Sequence, residues 1–217
     1  MQIIEHRREI PNSGVRRRTK TRERVLSAAG EILRNEGYSR LTMERVAADS
    51  GVAKTTLYSH WPTKAALCMD LYLEVAGREL QDPAKGDVAS DLKHIAQTVV
   101  HLQTRTVAGP ALIGLMTEAQ VNPKTRAAFL AEFAKRRREV TRQVLRRAVQ
   151  RGELRADTDI DLVIDALGGA VTFRLLQGHA PLTRKFTDAL VDLVLSGCRK
   201  PQLSRNRIRN ALLPQRG

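Results

Sequence analysis

Residues 41–67 read LTMERVAADSGVAKTTLYSHWPTKAAL. Thr42 is placed to cap a short helix over Met43 to Asp49, with Glu44 favourably in its first turn. Gly51 supplies a turn, because glycine reaches φ > 0 without steric cost. A second short helix follows over Lys54 to His60. Pro62 interrupts it, and Thr63 caps a further helix from Lys64 to about Leu80. Upstream, Val25, Ala28, Ala29, Ile32 and Leu33 fall on one face of a helix running from Thr21 to Glu36, which Gly37 stops. A supporting helix followed by two short helices around a glycine turn is helix-turn-helix geometry.

Within this unit the side chains divide by role. Val46 and Ala47 point inward, and small Ala47 lets the two short helices approach. Val52 and Leu57 pin the second short helix to the core. Lys54, Thr55, Thr56, Tyr58, Ser59 and His60 project outward, donors of a size suited to base edges and phosphates.

The composition agrees with a polyanionic partner. The chain has 217 residues, 37 Lys and Arg against 23 Asp and Glu, and a formal net charge of +14. Apolar residues make up 42%, enough for a real core. Only 4% are aromatic, which argues against reading single strands by stacking. Two cysteines, Cys68 and Cys198, provide neither a disulfide framework nor a metal cluster. There is no long apolar run and no apolar leader, so a cytoplasmic protein with no membrane partner is expected. No paired carboxylates, Ser-His-Asp set, glycine-rich phosphate loop or metal constellation is present, so neither an enzyme nor a cofactor or metal is expected. The charge lies in islands: net +6 over 1–65, +7 over 135–155 and +6 over 199–217.

Helical periodicity dominates the rest of the chain, and an all-α fold of about nine helices is predicted. A fifth helix begins near Asp87, with Val88, Leu92, Ile95, Val99 and Leu102 on one face. Gly109–Pro110 starts a sixth, Ala111 to about Gln120. A long seventh runs from Lys124 to Arg151. An eighth, Ile160 to Gln177, is apolar nearly all round and needs cover on more than one side. A ninth spans about Thr183 to Ser196. Four regions result: a flexible basic arm over 1–18, a helix-turn-helix domain over 19–66, a further helical domain over 67–198, and a basic, disordered tail over 199–217.

In Thr42 through Leu67 the chain resembles the TetR family of transcriptional regulators. It follows T-x-x-x-[VI]-A-x-x-[AS]-G-V-[SA]-x-x-T-[LI]-Y-x-[HY]-[FW]-x-[ST]-K-x-x-L throughout. The helix count, the stretches TEAQVNP at 117–123 and RGELR at 151–155 and the last two apolar helices also look like that family, which implies that 67–198 is a ligand-binding and dimerisation domain. The resemblance implies a homodimeric repressor on a pseudo-palindromic double-stranded operator, released by a small-molecule effector. A ligand-independent or architectural DNA-binding protein of the same fold is the alternative. It further implies that Tyr58, His60 and Lys64 hold phosphates and that Thr42 directs a backbone N–H toward one. Lys54, Thr55 and Ser59 would face base edges, and Thr56 either a base or a phosphate. Arg18 and Lys20, in the basic run before the first helix, would reach phosphates or a minor groove. Two positions depart from the pattern. Ala53 stands where many members have a capping Ser. Glu44 stands where several carry a basic or neutral residue; an acid there repels phosphate or accepts from a cytosine amine.

For the effector pocket the resemblance suggests Leu71, Val99, Leu102, Met116, Phe129, Phe133 and Phe173, each also suited to plain core. The nearly all-round apolar eighth helix, with the small patch Gly168–Ala170, suggests a dimer interface of Leu167, Gly168, Val171, Leu190 and Val194 on the last two helices, the alternative being burial within their own chain. The basic stretch Lys135–Arg138 is read as a solvated helix face. The row His94, Thr98, His101 and Arg105 is read as facing solvent, and Cys68 as core.

Overall fold

The computed structural model describes residues 13–84 and 86–199; the expectations for the first part of the arm and for the tail beyond Arg199 lie outside them. Among the described residues all the regular structure is helical, with no strand. Helix α1 spans Ser13–Glu36, a short 3-10 turn Tyr38–Arg40, α2 Met43–Ser50, α3 Lys54–His60 and α4 Lys64–Glu79. Then follow α5 Val88–Arg105, α6 Ala108–Val121, α7 Pro123–Ala128, a π-helical segment Phe129–Phe133, α8 Ala134–Gln150, α9 Ile160–Gln177 and α10 Arg184–Cys198. The path from α7 through the π segment to α8 is unbroken, so it matches the single long seventh helix predicted from the sequence.

Three boundaries differ from the sequence reading. α1 begins at Ser13, not near Thr21. Residues 13–20 lack a strong apolar period, but Arg and Lys are good helix formers and Pro11 lies just outside. α6 begins at Ala108, with Gly109 and Pro110 inside its first turn. Proline is tolerated there because its missing N–H would lack a helical partner anyway. Gly109 is required for a close approach: a Cβ would sit 2.0 Å from the Gln103 carbonyl oxygen. The third difference is the π segment, whose widened turn carries Phe129 and Phe133, with ring centroids 5.0 Å apart.

The chain gathers into two compact units. The first takes residues 13–80 together with Val99–Arg137; the second takes Gln81–Thr98 and residues 138–199. The first unit has one continuous core. Val25, Ala29 and Leu33 of α1 pack with Val46 and Leu57 of the two short helices, with Leu67, Leu71 and Tyr72 of α4, and with Ala108, Leu112 and Leu115 of α6. Phe133 meets the Tyr72 ring edge-on, with centroids 5.1 Å apart. Gly114 faces the Tyr38 ring so closely that a Cβ would fall 2.0 Å from Cγ.

The second unit buries Val88, Leu92 and Ile95 with Val144, Leu145, Val163, Leu167, Val171, Val191 and Leu195. Polar pairs tie its helices. Lys93 donates to Asp192 at 2.9 Å and Gln97 to Asp188 at 2.9 Å. Arg138 bridges Asp161 at 3.0 Å and Asp165 at 2.6 Å, and Arg142 joins Asp161 at 2.6 Å. Arg147 donates to Asp82 at 2.6 Å. The basic stretch read as a solvated face is therefore only partly so. Lys135 and Arg136 are exposed, whereas Arg138, Arg142 and Arg147 fasten α8 to acids.

Candidate nucleic-acid interface

The helix-turn-helix forms as its local chemistry dictates. The Thr42 hydroxyl accepts the Arg45 N–H at 3.2 Å and caps α2. Gly51 closes α2 at φ 62°, the left-handed region that its missing side chain permits. The Val52 N–H returns to the Ala47 carbonyl at 3.2 Å, which turns the chain into α3. Ala53 offers no side-chain cap, as its chemistry requires. Leu57 is completely buried and sets the rotation of α3. Lys54, Thr55, Thr56, Tyr58, Ser59 and His60 are consequently all exposed on one short helix.

Several of these side chains are already positioned. The Ser59 hydroxyl donates to the Thr56 carbonyl at 2.8 Å. His60 Nδ1 lies 2.9 Å from the same carbonyl, an obligate acceptor, which leaves Nε2 facing outward. The Tyr58 hydroxyl donates to Glu44 at 3.0 Å. Lys64 at the start of α4 is half-buried, with Nζ 4.3 Å from the Tyr38 ring centroid and 3.5 Å from the Tyr38 carbonyl. Thr42 is exposed, and Arg18 and Lys20 are exposed on the first turns of α1, where the sequence reading expected an arm.

Electrostatics hold the head together from behind. Arg22 pairs with Asp70 and Glu74 of α4, and Asp70 also accepts the indole N–H of Trp61 at 3.0 Å. Tyr38 donates to Glu118 of α6 at 2.7 Å, and Glu118 also accepts the Thr125 hydroxyl at 2.8 Å. Burial, and then the bond to Glu118, push the Tyr38 phenol well above its ordinary range. The Glu44 carboxyl is held below its ordinary value by its own backbone N–H, then by Tyr58, with the charge of Lys54 adding to both. Arg22 with its two acids, and Tyr38 with Glu118, lie far apart in sequence, and no short spacing announces them.

Leu71, Leu102 and Phe133, among the residues expected to line a pocket, are buried in the first unit, with Met116 and Phe129 packed against them. Val99 is half-buried, and Phe173 stands 60% exposed in the second unit, so it does not join that group. A groove of about 510 Å³ opens elsewhere, lined by Tyr38, Pro110, Ile113, Gly114, Thr117 and Val121. A smaller one of about 280 Å³ between α1 and α4 includes Leu71. No group of His, Cys, Asp and Glu among the described residues is arranged to hold a metal. No described helix is long and apolar enough to cross a membrane.

On α9 and α10, Leu167 and Val171 are buried within their own unit, while Gly168, Leu190 and Val194 are half-buried. The exposed apolar side chains are others: Leu162 at 65%, Phe173 at 60%, Leu176 and, on α10, Leu193 at 72%. Leu162, Ala166, Gly169, Phe173 and Leu176 recur at helical spacing on the face opposite Val163, Leu167 and Val171. Because α9 is apolar nearly all round, its sequence does not say which side the chain covers.

Comparison with known proteins places this architecture. Residues 25–70 match the family model for bacterial regulatory proteins of the tetR family. Residues 82–194 match that for the tetracyclin repressor-like C-terminal domain. The chain is 31% identical over 156 residues to the HTH-type transcriptional regulator YdeS of Bacillus subtilis, covering 72% of this chain and 78% of the relative. It is 29% identical over 176 residues to the HTH-type transcriptional regulator AqdR of Rhodococcus erythropolis, covering 81% and 84%. The crystal structure of the TetR family transcription regulator SCO0332 aligns with a TM-score of 0.72 at 39% identity, over 83% of this chain and all of that one. The stearoyl-CoA complex of the transcriptional regulator FadR from Bacillus subtilis shares the fold at a TM-score of 0.63 and 20% identity. With a capped two-helix reading head built on α1 and α4 and a C-terminal domain that is helical as well, the chain belongs to the TetR family of helix-turn-helix transcriptional regulators.

Proposed function

We propose that this regulator is a homodimeric repressor that lays α3 of each subunit in the major groove of a pseudo-palindromic operator and leaves it when a small molecule binds. The observation that carries the DNA-binding part is the row of six exposed donors on α3, held in one orientation by the buried Leu57. In this reading Lys54, Thr55 and Ser59 meet base edges, and Thr56 a base or a phosphate. Thr42, Tyr58, His60, Lys64, Arg18 and Lys20 meet phosphates. Two-fold symmetry sets the half-sites about 34–36 Å apart, or a multiple of that.

The homodimer is supported by the apolar face of α9 and α10. Four large side chains left in water on adjacent helices are costly singly and favourable once paired with a symmetry mate. Ligand response is supported by the continuity of the first unit's core, in which α4, bearing Lys64 at its start, packs on α6. A ligand that favours one placement of α6 would shift Lys64 with it, and the shift is regulation only to the extent that the two states bind the ligand differently. FadR, with its stearoyl-CoA, is an instance of this fold holding a small molecule.

Selection of bound sequences from a random DNA pool, followed by titration of candidate effectors into the complex, tests the reading. A palindromic consensus and a compound that lowers affinity are expected. A consensus without symmetry would sink the dimeric mode. A set of effectors spanning acyl, aromatic and cationic classes with no influence on affinity would leave the ligand-independent regulator instead.

A further inference from the structure

Glu44 is an acid on a surface that otherwise presents hydroxyls and cations. It sits in the first turn of α2 and is exposed beside the recognition helix. Its carboxylate accepts the Tyr58 hydroxyl at 3.0 Å, and Lys54 of α3 is near enough to bear on its charge. A phenol has a single proton to donate. While that proton goes to Glu44, it is withheld from any phosphate. Carboxylate and phosphate are both anionic oxygen acceptors and compete for the same donor.

We propose that Glu44 is a specificity-determining residue of the DNA face: in the free protein its carboxylate takes the place of a DNA phosphate on Tyr58, and on DNA it is compensated only where a cytosine amine is presented to it. The inference rests on the reading of Tyr58 as a phosphate donor. On DNA of arbitrary sequence nearly all affinity comes from phosphates, so a displaced carboxylate facing them is a net loss. In the major groove cytosine N4 is a donor with no acceptor on the same base, which suits an acid; adenine sets its N6 donor beside the N7 acceptor, and guanine offers only the acceptors N7 and O6. One residue thus both penalises random DNA and rewards a particular base.

The test compares the full-length wild type with Glu44→Ala and Glu44→Gln on random duplex and on the selected operator. Repulsion between unit charges near contact in water is worth about a factor of five, so both variants should bind random DNA about fivefold more tightly. The slope of log K against log salt should steepen by up to about 0.9 unit, as one opposing negative charge leaves the DNA face. Operator affinity should not rise in parallel, and selection with Glu44→Ala should lose a cytosine preference at one position per half-site. Glu44→Gln keeps shape and hydrogen-bonding reach, so tightening shared by both variants reports the lost charge and not an altered α2. Random and operator DNA tightening equally, no tightening on random DNA, or an unchanged selected sequence would each overturn the proposal. Lys64→Ala, measured alongside, separates the two readings: if it leaves random-DNA binding intact, the DNA face itself is misplaced, whatever Glu44 does.

Discussion

Arg22 and Asp70 meet in a two-point ion pair, with Nη2 2.7 Å from Oδ1 and Nε 3.0 Å from Oδ2. The same guanidinium reaches Glu74 at 2.7 Å through Nη1, and Asp70 also holds the indole of Trp61 at the end of α3. α1, α4 and the recognition helix are thereby fixed to one another through a single carboxylate. Arg22 follows closely on Arg18 and Lys20, which the sequence suggests for DNA, yet its planar fork is spent inside the protein. Arg22→Ala should lower stability by about 1–2 kcal/mol, toward the lower end because the pair is partly solvated. Urea unfolding would measure that loss. The salt slope of DNA binding should stay unchanged, and a slope reduced by a full unit would place Arg22 on DNA after all.

Lys54 and Lys64 carry the same charge but different expected roles. Lys64→Ala should weaken binding to all sequences and reduce the salt slope by about one unit. Lys54→Ala should relax preference at one or two base positions, at about 1–3 kcal/mol of discrimination. Fluorescence anisotropy on operator and random duplexes separates them. Equal loss on both DNAs for Lys54→Ala would contradict its base-reading role.

The exposed side chains of Leu193 and Phe173 predict a monomeric variant. Leu193→Asp should shift the sedimentation coefficient from dimer to monomer while leaving helicity by circular dichroism intact, since Leu193 is 72% exposed. Operator affinity should fall with it, because two linked heads gain from effective concentration. Val191→Asp on the buried side should instead unfold the second unit.

Acid should loosen both units. Arg22 and then Arg78 hold the Glu74 carboxyl below the usual carboxylate range; Arg147 does so for Asp82, and Arg142 with Arg138 for Asp161. A depressed folded pKa contributes stability that is fully present above the unfolded value and is lost as pH falls through the folded one. The melting temperature should therefore hold down to about pH 5 and fall below about pH 4. Asp161→Asn should flatten part of that fall and free two arginines on α8. A melting temperature independent of pH over this range would contradict these pairs.

The two cysteines should report separately. Burial pushes the Cys68 thiol up to about 12, so it should resist a maleimide at pH 8 until the first unit opens. Cys198, half-exposed at the end of α10, should react in the folded protein. Mass spectrometry of a labelling time course distinguishes the sites. Rapid native labelling of Cys68 would show that the α4 core is looser than its packing indicates.

Sequence alone determined whatever depends on near neighbours in the chain. Thr42, Gly51 and Thr63 set caps and a turn through bonds spanning a few residues, so the two short helices of the reading head were legible to within one residue. Leu57 and its exposed flanks followed from helical period. Tertiary structure decided what depends on distant partners. The pairing of Arg22 with Asp70, of Tyr38 with Glu118 and of Arg138 with Asp161 joins residues 48, 80 and 23 positions apart, which no local spacing encodes. It also chose which side of the uniformly apolar α9 is covered, burying Leu167 and Val171 and leaving Leu162 and Phe173 in water. Charge count pointed to a polyanion, but only the fold separated arginines held by acids from those left exposed to meet one.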